Sequence, residues 1–221
     1  MKKVTAVIPV RKGSVRVKNK NLKPFSDTNL LELKIRQLKQ VNLLDDIIVS
    51  SDCDKMLSLA QSLGVNTHRR EDYYASSEAT NSEFFENIGK SIDASYIMYS
   101  PVTCPLISLE TYFDCLSSLK NDQQLKNLVT VSRVNHHMWL DGKPLNYNIA
   151  NSPNSQDLPN IYAITYGICI ISRKDMIEYK NIVTENPTFK VLDEIESMDI
   201  DTEFDFMVAE MIYNKLYRDV K

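Results

Sequence analysis

Two clusters of residue types in this chain could do chemistry, and they lie near its opposite ends. Arg11, Lys12, Arg16, Lys18 and Lys20 place five cations within ten residues, with Gly13 and Ser14 among them. A polyphosphate needs several donors and neutralising charge at once, and such a loop offers both. Gly13 lets the backbone turn or approach a ligand closely, and Ser14 adds a hydroxyl and an N–H. Near the other end, Asp199-Ile200-Asp201 sets two carboxylates at period two. An extended backbone would point both to one side and turn Ile200 to the core. A pair of hard oxygen ligands, with phosphate oxygens completing the shell, is how magnesium is held at nucleotide sites. Each cluster also has a plainer reading: a lysine-rich loop can be solvated surface, and Asp201 or Thr202 can merely cap the following helix.

The elements that must position these residues follow from hydrophobic periodicity. Val4 to Val10 is short, β-branched and nearly continuous, as a strand covered on both faces would be, and the basic loop follows it directly. Ligands gather at such strand ends in α/β chains. Leu30, Leu33, Leu38 and Val41 recur at helical spacing over 29–44. A strand over 46–50, a helix over 54–63 stopped by Gly64, and a short strand over 65–68 follow. Further strands are expected over 96–100, 128–132, 166–171 and 190–195. Helices are expected over 82–92, 109–119, 173–179 and 203–217. This alternation predicts a doubly wound α/β fold. From 133 to 162 the rhythm lapses into a stretch rich in Asn, Ser and Pro, expected to be an inserted excursion with short strands of its own. The chain is therefore expected to be one domain, 1–221, carrying that insert.

Composition narrows the function. The 221 residues are 43% hydrophobic, enough for a sizeable core, and the net charge of -3 does not suit a general nucleic-acid binder. Cys53, Cys104, Cys115 and Cys169 show no CxxC spacing and no secretory leader is evident, so free thiols in a reducing cytoplasm are expected. No apolar run has the length of a membrane span. Neither GxxxxGK followed by Ser or Thr nor GxGxxG occurs, which argues against a P-loop ATPase or a dinucleotide dehydrogenase.

Taken together, these stretches resemble the CMP-acylneuraminate synthetase type of cytidylyltransferase. Arg11, Gly13, Ser14, Lys20 and Asn21 match that family's first loop, with Val15 where a lysine is usual. Ser50-Ser51-Asp52 resembles its Ser-Thr-Asp strand end, Arg70 with Ala75-Ser76-Ser77 its second loop, and the run from Asp199 to Asp205 its DIDTxxD segment. The resemblance implies a three-layer nucleotide-diphospho-sugar transferase fold with a mainly parallel sheet and a small dimerisation insert, working as a homodimer. It implies CTP as donor, Mg2+ and a small acidic acceptor. CTP would be held by Arg11, Gly13, Ser14, Lys20 and Asn21 and, at the base and ribose, by Arg70, Ala75 and Ser77. Asp199 and Asp201 would ligate the metal, with Arg11, Lys20 and Asp201 serving catalysis. Arg16 or Lys18 is expected to supply the phosphate contact missing at Val15.

The acceptor half departs from the family. The usual glutamine and arginine are absent from 101–107, and no arginine precedes Gly167. Acceptor contacts are expected in the insert, from His136, His137, Trp139, Lys143, Asn146, Tyr147, Ser155 and Gln156. A nonulosonic or other acidic sugar, a phosphonate or a phosphate acceptor all stay open, as does a nucleotide-binding homologue without turnover.

Overall fold

The computed structural model describes residues 2–14 and 16–217; the substituted family position at Val15 lies outside the described residues. The first strand, β1 (Val4–Pro9), has its first five residues buried. A small hairpin, β2 (Pro24–Phe25) and β3 (Thr28–Asn29), leads into α1 (Leu30–Lys39), whose N-terminus is capped by the Asn29 side chain accepting from the Glu32 N–H. Then come β4 (Asp46–Ser51), α2 (Asp54–Ser62), β5 (Asn66–Arg69), α3 (Asp72–Ala75) and α4 (Asn81–Ser91). Thr80 and Glu83 satisfy each other's backbone at the start of α4, a capping box. After β6 (Tyr96–Tyr99) and α5 (Leu109–Asn121), β7 (Asn127–Val134) enters the segment whose α/β rhythm lapses in the sequence.

That segment holds a hairpin of β8 (Trp139–Leu140) and β9 (Lys143–Pro144). Asp141 and Gly142 at its tip both have positive φ, 49° and 76°, the chemistry of a tight two-residue hairpin turn. A one-turn 3-10 helix, Ser155–Asp157, precedes β10 (Ile161–Ser172), followed by α6 (Arg173–Tyr179), β11 (Thr188–Val191) and α7 (Glu203–Tyr217).

Seven strands form one sheet in the order β11-β7-β10-β6-β1-β4-β5. β1 pairs in parallel with β4 and β6, and β4 with β5; β10 runs antiparallel to both β6 and β7, and β11 is parallel to β7. The sheet is thus mainly parallel with one reversed strand. Alternation along β1 shows the three layers: Val4, Ala6 and Ile8 pack with residues of α1, α2, α5 and α7, while Val7 packs with α4 and α6.

Three boundaries differ from the periodicity. The first helix ends at Lys39 although Val41 is still buried, because 41–44 continue the apolar pattern as turns. The last strand lies earlier than 190–195, at Thr188–Val191. β10 starts at Ile161, five residues before its continuous apolar run, because its first part pairs with the far end of β7 through half-exposed residues. Its register slips between Ile164 and Cys169, where Tyr166 adopts φ 56° and Gly167 meets Ile107 so closely that a Cβ would lie 2.5 Å from Cδ1.

Candidate active site

A cleft of about 430 Å³ opens beyond the C-terminal ends of β1 and β6, where parallel sheets collect ligands. One wall is the basic loop: Arg11, Ser14, Arg16, Lys20 and Asn21 all line it. The loop is fixed by backbone demands more than by packing. Asn21 is buried, its amide Nδ2 donates to the Arg11 carbonyl at 2.9 Å, and its own carbonyl accepts from the Leu31 N–H. Asn21 therefore braces the loop from within. Asn19 takes a left-handed conformation, φ 55°, and its carbonyl accepts from the N–H groups of Leu22 and Lys23. Gly13 lies elsewhere, in a depression on the loop's outer side that Lys18 shares. Of the two cations expected to stand in at Val15, it is Arg16 that lines the cleft.

A second wall comes from the loop after β5. Arg11 Nη1 donates to the Ala75 carbonyl at 2.7 Å, joining the two loops. Arg70 is 4% exposed; its Nη2 donates to the Val10 carbonyl, its guanidinium lies 5.0 Å from the Phe84 ring centre, and its Nε, fully buried, has no acceptor. Burial lowers the Arg70 pKa to about 10, against the pull of the Asp52 carboxylate. A buried guanidinium donor with no partner is costly, and here it borders a cleft also lined by Ala75 and Ser77.

The Asp pair does not line the cleft itself but lies beside it, tied to the lining residues Arg16, Lys20 and Thr103. Ile200 is fully buried; its N–H donates to the Thr103 carbonyl at 2.9 Å and its carbonyl accepts from Lys20 Nζ at 2.5 Å. The segment is thus pinned at its middle residue, with the core taking the isoleucine as period two requires. Asp201 pairs with Arg16 at 2.8 Å. The Cys104 thiol lies 3.7 Å from Asp199 Oδ1. Solvent reaches the Asp199 side chain, yet surrounding protein raises its pKa by desolvation, with repulsion from Asp201 adding and Thr103 and Lys20 opposing. Lys20 is shifted the other way, downward, by burial, against attraction to both aspartates.

The helix start is capped by Thr202 and not by Asp201. Thr202 and Asp205 cap α7: the Asp205 carboxylate accepts from the Asp201 and Thr202 N–H groups and the Thr202 hydroxyl, and the Asp205 N–H donates back to that hydroxyl. The Asp201 carboxylate is left facing Arg16.

The insert candidates stay together and away from this cleft. Asn146 is buried and braces the hairpin, its amide bonding the His136 carbonyl and the Met138 N–H; His137 bonds the Pro153 carbonyl and packs edge-on against Tyr147. Neither these nor Trp139, Lys143, Ser155 and Gln156 line the cleft. Sequence reading missed Tyr74, Asn81, Phe84 and Tyr99, which do. The available signal was position: Tyr99 ends β6 and Asn81 opens α4.

A mainly parallel three-layer sheet with a cation-lined cleft at its strand ends defines an α/β nucleotidyltransferase. The family model described as Cytidylyltransferase matches residues 5–200, and the chain belongs to that family. It is 25% identical to the Post-translational flagellin modification protein B of Campylobacter coli, over 96% of this chain and 95% of that protein. It is also 25% identical to the CMP-N,N'-diacetyllegionaminic acid synthase of Campylobacter jejuni, over 96% of this chain and 95% of the relative. A solved CMP:2-keto-3-deoxy-manno-octonic acid synthetase complexed with CTP superposes with a TM-score of 0.71 at 13% identity, covering 97% and 99% of the two chains. Among the described residues no helix is long and apolar enough to cross a membrane, and all four cysteines are free.

Proposed function

We propose that this protein transfers CMP from CTP to a small acidic sugar of the acylneuraminate type and releases pyrophosphate. The observation that carries the reading is a cleft lined by Arg11, Arg16 and Lys20 whose cations reach the 199–201 segment beside it, Arg16 pairing with Asp201 and Lys20 holding the Ile200 carbonyl, together with an unpaired buried Arg70 donor. Chains named for CMP-sugar synthesis match along almost their whole length, which supports CTP and an acidic sugar as the substrates.

An acceptor hydroxyl oxygen attacks the α-phosphorus, the bond to the bridging oxygen of the β-phosphate breaks, and pyrophosphate leaves while the hydroxyl proton passes to solvent or a nearby carboxylate. Negative charge shifts onto the leaving oxygens, and fixed cations stabilise that redistribution more than the ground state. Lys20 and Arg11 hold the triphosphate; Arg70, Ala75 and Ser77 hold the base end. The Asp199 and Asp201 carboxylates fit Mg2+ by donor chemistry, since both are hard oxygen ligands beside a phosphate-sized opening. Among the described residues no group of three His, Cys, Asp or Glu forms a metal cage, so phosphate and water oxygens would complete the shell. When bound, the ion would neutralise charge on the phosphates.

The insert exposes Trp139, Leu140 and Ile149, at 55%, 58% and 63%. That apolar surface supports a homodimer in which the insert of one copy meets the other, and would account for acceptor-type residues lying away from the cleft of their own chain. The test is pyrophosphate release with Mg2+ from CTP, UTP, ATP and GTP against a panel of nonulosonic acids, other acidic sugars and phosphorylated polyols. CTP preference with an acidic sugar is expected; turnover with phosphorylated polyols alone would replace the acceptor, and no preference for CTP would overturn the donor.

A further inference from the structure

Lys34 is a charged residue on the sheet-facing side of α1, and it is completely buried. Its neighbours on that helix, Leu30, Leu31, Ile35 and Leu38, are the apolar residues such a position calls for. Burying an ammonium without a carboxylate is expensive, and the two partners found for it are neutral. Nζ donates to the Cys104 carbonyl at 2.8 Å and to the Tyr112 hydroxyl at 2.7 Å, with the Tyr112 ring centre 5.3 Å away. The Tyr112 hydroxyl in turn meets the Ser100 hydroxyl at 3.0 Å.

The Cys104 carbonyl belongs to the turn that follows β6, and that turn touches the 199–201 segment twice. The Thr103 carbonyl accepts from the Ile200 N–H at 2.9 Å, and Cys104 Sγ lies 3.7 Å from Asp199 Oδ1. The same thiol lies 3.7 Å from the Thr165 carbonyl at the slipped part of β10. One face of the turn is therefore held by the buried Lys34 and the other bears on the Asp199 carboxylate. A methionine or leucine would fill the same space against the sheet but could not bind the Cys104 carbonyl.

We propose that Lys34 is a positioning residue that fixes the Thr103–Cys104 turn and thereby the placement of Asp199 for metal-bound nucleotide. This rests on the reading of Asp199 and Asp201 as metal ligands. Lys34 touches neither nucleotide nor metal. Its effect is carried by the Cys104 carbonyl, the Thr103 carbonyl and the Cys104 thiol.

The test measures Mn2+ binding to the folded protein in the presence of CTP, by electron paramagnetic resonance of free Mn2+, alongside CTP binding without metal. Lys34→Met is expected to weaken Mn2+ binding about tenfold or more, as loss of outer supports of metal ligands does, while metal-free CTP affinity stays within about twofold. The Mg2+ concentration for half-maximal turnover should rise in parallel. Lys34→Met with Tyr112→Phe, which also removes the hydroxyl that Lys34 would leave unpaired, keeps the packing and should show the same Mn2+ defect; if neither folds, Lys34→Gln retains one donor and should be intermediate. Folded variants with wild-type Mn2+ affinity would overturn the positioning role, even if their melting temperatures fall. Failure of the wild-type protein to bind Mn2+ with CTP would instead overturn the metal reading, and the proposal with it.

Discussion

Arg16 and Asp201 meet at 2.8 Å beside the cleft, joining the basic loop to the Asp pair by side chains that are 68% and 46% exposed. A pair this exposed adds little to stability, roughly 0–1 kcal/mol, so its value lies in what each partner can bind instead. Asp201→Asn is expected to lower metal-dependent turnover by at least about a hundredfold, on the scale of losing a transition-state contact, with an unchanged circular dichroism spectrum. Arg16→Ala removes a cation that competes for Asp201, so nucleotide-free Mn2+ binding should tighten while CTP affinity falls. Equal Mn2+ affinity in the two proteins would show that Arg16 does not compete.

Asp199 predicts a pH effect. Its folded pKa is raised, chiefly by burial. Below the ordinary carboxylate value the group is protonated in both states and costs nothing. As pH rises towards the raised value, the unfolded chain ionises first and folding loses stability, a loss that persists at neutral pH. Asp199→Asn should therefore raise the thermal midpoint at pH 7 in metal-free buffer and leave it unchanged well below the ordinary carboxylate pKa, while turnover is lost. A lowered midpoint at pH 7 would contradict the assignment.

Arg70 predicts a donor-specific defect. Its Nη2 is bonded to Val10 and its plane lies over Phe84, a geometry that lysine does not reproduce. Arg70→Lys is expected to raise KM for CTP about tenfold or more, the scale of losing a hydrogen bond to a charged group, and to leave KM for the acceptor nearly unchanged. Steady-state kinetics with each substrate varied in turn would separate the two.

The cap on α7 predicts stability without chemistry. Thr202→Ala should cost about 1 kcal/mol, as helix caps do, read as a denaturant midpoint. The Asp205 pKa is lowered by its bonds to Thr202. Its contribution is present above the ordinary carboxylate value and is lost as pH falls through the lower folded value. Asp205→Asn should therefore destabilise at pH 7 and converge with wild type in strong acid.

Much of this was legible in the sequence because the signals are local. The β-branched run Val4 to Val10 gave the central strand, and the period-two spacing gave the burial of Ile200 between two aspartates. The sheet's one reversed strand was not legible, since pairing direction depends on partners far away in the chain. Lys34 stands among helix-forming leucines, and side-chain type does not reveal that Tyr112 and the Cys104 carbonyl wait at its end. Asn21 was placed near the ligand by its motif, whereas its amide is occupied by Arg11. Thr202 and Asp205 illustrate the reverse case: capping was foreseen as an alternative for Asp201 or Thr202, and it falls to the threonine.

The anchors of the basic loop also set an order of events in synthesis. Arg11 is tied to a carbonyl 64 residues downstream, and Lys20 to one 180 residues downstream. Closing a loop of that length is entropically slow and must wait for the segment to exist. A nascent chain halted before Ile200 would carry every cation of the loop and every strand of the sheet, yet Lys20 would have no carbonyl to hold. Competence to bind nucleotide is thus expected to arrive late on the ribosome and in one step, as the final helix leaves the exit tunnel.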